Sequence, residues 1–246
     1  MIFVPIRIIY SARTKSRVFC ELVQKEDGAA RRRGRPREYD PDEALQRALE
    51  VFWKTGYSAT SLDAIAAATG MNRPSLYAAF GDKRALYLKA LGHYYTLSGT
   101  EMREIFAGDE PLGVALMRVY EAALRLFLSG GEARGCFSIG TATSEAAADP
   151  EIRAMLAEST RRLDRAFEAR IKTAQQAGEV APEADASALA SLASATLHTI
   201  AIRARAGVSR EELVAIARKA VAVICGSLAL SVPDPEKSPL RELPEA

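Results

Sequence analysis

Apolar residues recur at helical spacing along nearly the whole chain, and no segment shows the strict alternation with hairpin signals that a half-buried strand requires. Ala44, Leu45, Ala48, Leu49, Phe52 and Trp53 form a first stripe. Asp40, Pro41 and Glu43 precede it in the order of an N-cap, a first-turn proline and a capping-box acid. Gly56 closes this segment, where left-handed backbone is cheap only for glycine. Leu62, Ile65, Ala66 and Thr69 make a shorter stripe, capped by Thr60 or Ser61 and ended by a tight turn at Gly70. Asn72 caps a third helix whose first turn holds Arg73, Pro74 and Ser75. Leu76 and Phe80 sit four apart and face inward, which turns Arg73, Ser75 and Tyr77 outward. Asp82 caps the next helix, with Lys83 at its exposed start.

Beyond this point the same signals delimit longer helices. They run from Asp82 to about Phe106, and from Pro111 to Leu128 with a stop at Gly130-Gly131. A shorter one lies near Cys136 to Ala147, and a long one from Asp149-Pro150 to just before Gly178. Asp185 opens the next, which Gly207 ends; Ser209 and Glu212 form a capping box for the last, reaching about Leu230. Pro233, Pro235 and Pro239 mark a loose tail. The expected fold is all-α. Residues 1–37 are read as a disordered basic extension, 38–84 as a three-helix domain, 85–230 as a larger helical bundle, and 231–246 as a flexible tail. A length of 246 residues with 48% hydrophobic content suits a small domain followed by one with a full core.

The stretch from Gly56 to Leu86 has the pattern of a helix-turn-helix. Its second helix opens with polar groups that can reach base edges, so duplex DNA is the expected partner. Formal net charge is only +2, yet Arg31, Arg32, Arg33, Arg35 and Arg37 crowd one short stretch just ahead of this module. Local positive charge there fits a phosphate-seeking arm. Arg33-Gly34-Arg35-Pro36 also resembles the core of an AT-hook, which lays arginines along a narrow minor groove, and its place ahead of the module matches that of homeodomain arms; a solvated basic tail is the alternative. Met1 to Tyr10 is apolar but too short for a membrane span, and it makes a poor secretory signal. Residues 1–30 are therefore expected to be a weakly ordered extension or the product of a mis-assigned translation start.

Thr60-Ser61, Ile65-Ala66, Gly70, Leu76-Tyr77, Phe80, Lys83 and Leu86 stand at the spacing of the TetR/AcrR family of one-component transcriptional regulators, which the chain resembles over this module. Many relatives carry a bulky aromatic or histidine where Ala79 stands here, so that contact is absent. The resemblance implies that Thr60 and Ser61 hold a phosphate at the second helix's N-terminus, that Tyr77 and Lys83 hold others, and that Asn72, Arg73 and Ser75 face the major groove. Arg73 could read a guanine through O6 and N7 or take one more phosphate. The family also implies a C-terminal domain that binds a small-molecule effector and pairs its last two helices in a homodimer, which sets two recognition helices on a near-palindromic operator. Leu189, Leu192, Thr196 and Ile200, with Leu213, Ile216, Ala220, Val223 and Ile224, are the apolar stripes expected to face the partner or the chain's own core. Tyr94, Tyr95, Tyr120, Leu124, Phe127, Phe137, Met155 and Phe167 are the candidate cavity walls, and no charged cluster stands out as a ligand anchor. The expected function is a repressor released from DNA by its effector; a sequence-tolerant architectural DNA binder is the alternative.

Cys20, Cys136 and Cys225 are few and far apart, which fits a reducing cytoplasm and neither a disulfide framework nor a zinc site. Cys136 follows Arg134-Gly135 near a helix start, where the dipole could lower a thiol's pKa and permit redox sensing; an inert buried thiol is the other reading. His93 and His198 show no metal-ligand spacing, and no nucleophile–base–orienter set is visible. Neither an enzyme nor a cofactor protein is expected.

Overall fold

The computed structural model describes residues 40–129 and 134–226. Arg33, Arg35 and Arg37, the extension they belong to, the Gly130-Gly131 stop and the 231–246 tail lie outside the described residues. Among the described residues the chain is helical with no strand. The helices are α1 Pro41–Ala59, α2 Leu62–Thr69, α3 Arg73–Phe80, α4 Lys83–Phe106, α5 Leu112–Phe127, α6 Thr143–Glu145, α7 Pro150–Gln176, α8 Ala186–Arg205 and α9 Arg210–Ile224, with a π-helical turn, Ser138–Ala142, leading into α6.

The predicted caps form. Asp40, Ser61, Asn72, Asp82, Asp149, Asp185 and Ser209 each accept a backbone amide from the first turn of the helix they precede. Each such cap satisfies a donor that would otherwise be orphaned. Two ends differ from expectation. Gly56 has positive φ (78°) but extended ψ (169°), so it kinks α1, and one more turn follows to Ala59. The last helix ends at Ile224 rather than near Leu230, because Gly226 turns the backbone left-handed (φ 71°).

Packing does not stop at residue 84. One core joins Leu49, Phe52 and Trp53 of α1, Ile65 of α2, Leu76 and Phe80 of α3, and Leu86, Tyr87, Leu91 and Tyr94 of α4 to Phe137, Ala142 and Ile152 further along the chain. The second core is built from α5, α7, α8 and α9 around Leu116, Tyr120, Phe167, Ile171 and Ile200. Helix α4 belongs to the first core yet runs on into the second half of the molecule.

Trp53 fixes the junction. It is 2% exposed and stands edge-on to Tyr94 (5.3 Å between centroids) and tilted against Phe137 (5.7 Å). Its indole N–H donates to the Gly135 carbonyl at 3.1 Å, and the Arg134 guanidinium lies over its ring at 4.1 Å. Arg134 pairs in turn with Glu50 of α1 and donates to the Ser129 hydroxyl. Gly135 (φ 63°) lies so close to α8 that a Cβ there would stand 2.5 Å from the Ala201 carbonyl oxygen. Trp53→Ala would empty the junction and orphan the Gly135 carbonyl. A loss of about 3–5 kcal/mol is expected for a buried aromatic truncated in this way, read as a lower urea midpoint. Trp53→Phe, which keeps most of the apolar surface, should lose less.

Candidate nucleic-acid interface

The α2–turn–α3 unit is set by short local interactions. Ser61 Oγ accepts the Ala64 amide at 3.1 Å, and Asn72 Oδ1 accepts the Ser75 amide at 2.8 Å. Between them Gly70 is left-handed (φ 70°, ψ 10°), a geometry that favours glycine. Thr69 stabilises the turn from inside: its hydroxyl donates to the Ile65 carbonyl at 2.8 Å and accepts the Met71 amide at 3.3 Å. Leu76 and Phe80 anchor α3 inward, while Arg73, Pro74, Tyr77 and Ala78 are exposed and Ser75 is half-buried. Tyr77 presents a large apolar ring that is 50% exposed. Lys83 reaches back to donate to the Ser58 carbonyl at 3.3 Å, with its ammonium 4.6 Å from the centre of the Tyr57 ring.

Two expectations change here. Thr60 is only 3% exposed; its hydroxyl donates to the Gly56 carbonyl at 2.5 Å and its amide to the Tyr57 carbonyl at 3.3 Å. With both donors turned inward to hold the α1 kink, Thr60 is not displayed for a phosphate, and Ser61 alone caps α2. Asp63 is the residue that sequence reasoning missed. Arg73 Nε and Nη2 donate to its Oδ1 and Oδ2 at 2.6 and 2.5 Å, so the two are paired on the open surface. This contact holds the Asp63 carboxyl below the usual range, chiefly through the hydrogen bonds from Arg73, and raises Arg73 correspondingly. An acid in the first turn of α2, facing the first turn of α3 across the Gly70 turn, was the available signal.

A cavity of about 870 Å³ opens among α4, α5, α7, α8 and the π-turn. Tyr94, Tyr95, Phe127 and Met155 line it as expected. Tyr120 and Phe137 do not, and neither do Leu124 and Phe167. Tyr120 is fully buried in the second core and donates to the Ala193 carbonyl at 3.1 Å, while Phe137 fills the junction between Trp53 and Tyr87. Inward-pointing aromatics at helical spacing are thus divided between core and cavity by partners remote in sequence. Met102, Leu126, Leu163, Leu197 and His198 complete much of the wall. Burial lowers the His198 pKa, which favours the neutral imidazole. Charged groups do reach the lining: Glu101, Arg103, Glu158, Arg162 and Arg165, with Glu158 accepting from Arg161, Arg162 and Arg165. Those contacts, Arg162 foremost, hold its carboxyl down to about 2.

Cys136 also lines the cavity, its Sγ 3.1 Å from the Tyr94 hydroxyl. Burial pushes this thiol up, which favours the inert buried thiol over the dipole-lowered one of the two readings. The helix it precedes opens as a π-turn within a packed junction, so desolvation of the thiolate outweighs any dipole. Among the described residues no group of histidines, cysteines and carboxylates could hold a metal ion, and no helix is long and apolar enough to cross a membrane.

The outer faces of α8 and α9 differ from the predicted stripes. Thr196, Ile200, Leu213 and Ile224 are buried in the chain's own second core. The apolar positions left outward are Leu192 (38% exposed) and Ile202 (58%), with Ala188, Ala195 and Ala215 exposed and Ile216 and Val223 half-buried.

Residues 44–90 match the family model described as bacterial regulatory proteins of the tetR family, and residues 114–221 match that of the tetracyclin repressor-like C-terminal domain. The chain is 32% identical over 186 residues to the HTH-type transcriptional repressor ComR of Escherichia coli, which spans 75% of this chain and 89% of that protein. It is 30% identical over 158 residues to the HTH-type transcriptional regulator YezE of Bacillus subtilis, 64% of this chain and 81% of that one. Among solved structures, a cysteine-substituted form of the TetR family regulator CifR, complexed with 26 bp operator DNA, is 33% identical with a TM-score of 0.67, covering 76% of this chain and 98% of its own. A TetR family regulator from Cytophaga hutchinsonii shares the fold at 19% identity, with a TM-score of 0.66. With the turn, the outward face of α3 and the helical domain behind it all in place, the chain belongs to the TetR family: it is a DNA-binding transcriptional regulator, not an enzyme.

Proposed function

We propose that the protein is a homodimeric repressor that grips a near-palindromic operator through α2 and α3 and is released by a small molecule held in the cavity. The observation that carries this reading is the outward presentation of Asn72, Arg73 and Tyr77, with Ser75 half-buried beside them, from a helix whose start is fixed by Gly70 and the Asn72 cap. Ser61 at the start of α2, Tyr77 on α3 and Lys83 just beyond it are suited to phosphates, since helix N-termini, hydroxyls and cations bind them regardless of sequence. ComR, its relative, is a repressor by name. A reducing cytoplasm is the compartment such a regulator would work in.

The effector half of the proposal rests on the cavity. Its volume lies within the usual range for small-molecule sites, about 300–1,000 Å³, and its wall is largely apolar. An architectural DNA binder has no need of such a space. The wall also shares a segment with the junction: Arg134 and Gly135 hold Trp53, while Cys136, Ser138 and Ile139 line the cavity. A ligand that prefers one arrangement of this segment would bias α1, and with it the DNA-reading unit.

The dimer half rests on the outward apolar positions of α8 and α9. Leu192 and Ile202 on α8 are large side chains left 38% and 58% exposed, and the exposed Ala195 between them allows close approach of a second helix pair.

Three measurements test these parts separately. Tyr77→Ala and Lys83→Ala should weaken binding to a duplex from the protein's own upstream region and to unrelated duplexes by similar factors. Lys83→Ala, which removes a charge, should also flatten the log–log salt dependence by about one unit, whereas Tyr77→Ala should leave that slope as it is; unchanged binding to both duplexes would refute the docking. Ile202→Arg combined with Leu192→Arg should shift sedimentation from dimer to monomer and lower operator affinity, with thermal stability of the monomer retained. A variant that stays dimeric would place the interface elsewhere. A small apolar compound that raises the melting temperature should loosen the operator complex, and Met155→Trp, which fills the cavity, should abolish both effects. Stabilisation that leaves DNA binding intact would remove the effector from the scheme.

A further inference from the structure

On the reading that α3 enters the major groove, we infer that Asp63 is a specificity-determining residue: it braces Arg73 from the side so that the free end of the guanidinium is offered to a guanine. Of the five N–H donors of an arginine, the pairing with Asp63 takes one on Nε and one on Nη2. The edge formed by Nη1 and the second hydrogen of Nη2 remains open, and no described residue is bonded to Nη1. That edge has the parallel donor pair that matches O6 and N7 of guanine. The braced arm and the reading edge are therefore different sides of one planar group, and both can be used at once.

The location supports this role over a structural one. The ion pair links the first turns of α2 and α3 across the outer face, with the two side chains 56% and 71% exposed. An exposed pair of this kind contributes little to stability, because water and salt screen it. It does restrict a long side chain that would otherwise sample many rotamers, so less ordering remains to be done when DNA arrives. The pairing also has a cost that a stability device would not need: it places a carboxylate on the surface that meets a polyanion. Asp63 therefore weakens attraction to DNA in general while favouring the one sequence on which its partner is correctly aimed. Discrimination by adding a repulsive element is a common route to specificity. It also distinguishes the two roles left open for Arg73. A phosphate contact gains nothing from a neighbouring carboxylate, whereas a directional base contact gains orientation.

The test uses the full chain and a library of randomised duplexes. Wild type, Arg73→Ala, Asp63→Asn and Asp63→Ala are each allowed to select sequences. Affinities are then measured for the best wild-type site, for that site with single base replacements, and for random duplex over a range of salt. Arg73→Ala identifies the base pair that Arg73 reads. Wild type should prefer guanine there by about ten-fold or more. Both Asp63 variants should bring that preference towards unity while binding random duplex more tightly, with a salt dependence steeper by about one unit as the Arg73 charge is released. Loss of specificity with gain of general affinity is a pair of changes that a merely destabilised α2 would not produce. The inference is overturned if Asp63→Asn keeps the guanine preference, or if it weakens all duplexes by one factor. It is also overturned if Arg73→Ala leaves every base preference unchanged, a result that spares operator binding by the rest of α3. If wild type enriches no sequence at all, the groove reading itself fails, and the inference with it.

Discussion

The contact between α1 and the short segment at residues 134–137 holds the two halves of the molecule in a fixed relation. Four interactions meet there: an indole N–H on a carbonyl, a guanidinium on an indole face, a carboxylate on that guanidinium, and a ring against Phe137. The indole buries a large apolar area and still has its one polar atom satisfied, which is the condition under which tryptophan stabilises a core. The guanidinium is costlier to place. Its Nε is buried without a hydrogen-bond partner among the described residues, and Glu50 offsets part of that desolvation. A partly satisfied polar cluster at a junction gives up some stability and, in return, makes the arrangement directional: few alternative packings would satisfy the same groups.

Helix α4 carries this relation lengthwise. It starts at the DNA-reading unit, capped by Asp82, and presents three tyrosines to the segment that follows the junction. Tyr87 shares a hydrogen bond with Thr141 at 2.8 Å, Tyr94 with Cys136 at 3.1 Å, and Tyr95 with Ser138 at 2.7 Å. The π-turn at Ser138–Ala142 carries two of these partners, Ser138 and Thr141. Such turns are uncommon and tend to occur where a helix must satisfy contacts out of its normal register. A displacement of the cavity wall at Tyr94 or Tyr95 would thus move the same rod that seats α3, whereas a surface loop would absorb it.

Most of the local architecture was legible in the sequence. Caps and helix-stopping glycines act within a few residues, so Asp40, Asn72, Asp82 and Asp185 could be placed from their neighbours alone, as could most of the outward set on α3. What escaped were relations between distant segments. Periodicity reveals that Tyr120, Phe137, Ile200 and Leu213 face inward without revealing what they face; each meets a core assembled from helices far apart in the chain. Thr60 and Ser61 were equivalent as cap candidates until the kink at Gly56 drew the Thr60 hydroxyl inward. Asp63 reads locally as a helpful charge at a helix start, and only the turn at Gly70 shows that it also stands opposite Arg73.

The absent side chain at Gly135 has a consequence of its own. Main chain here rests almost directly on main chain, with Ala201 on the far side. A joint of that kind has no cushion. Whatever tilts α8, from its outward Leu192 and Ile202 face or from the Leu197 and His198 wall, is passed to the carbonyl that grips Trp53.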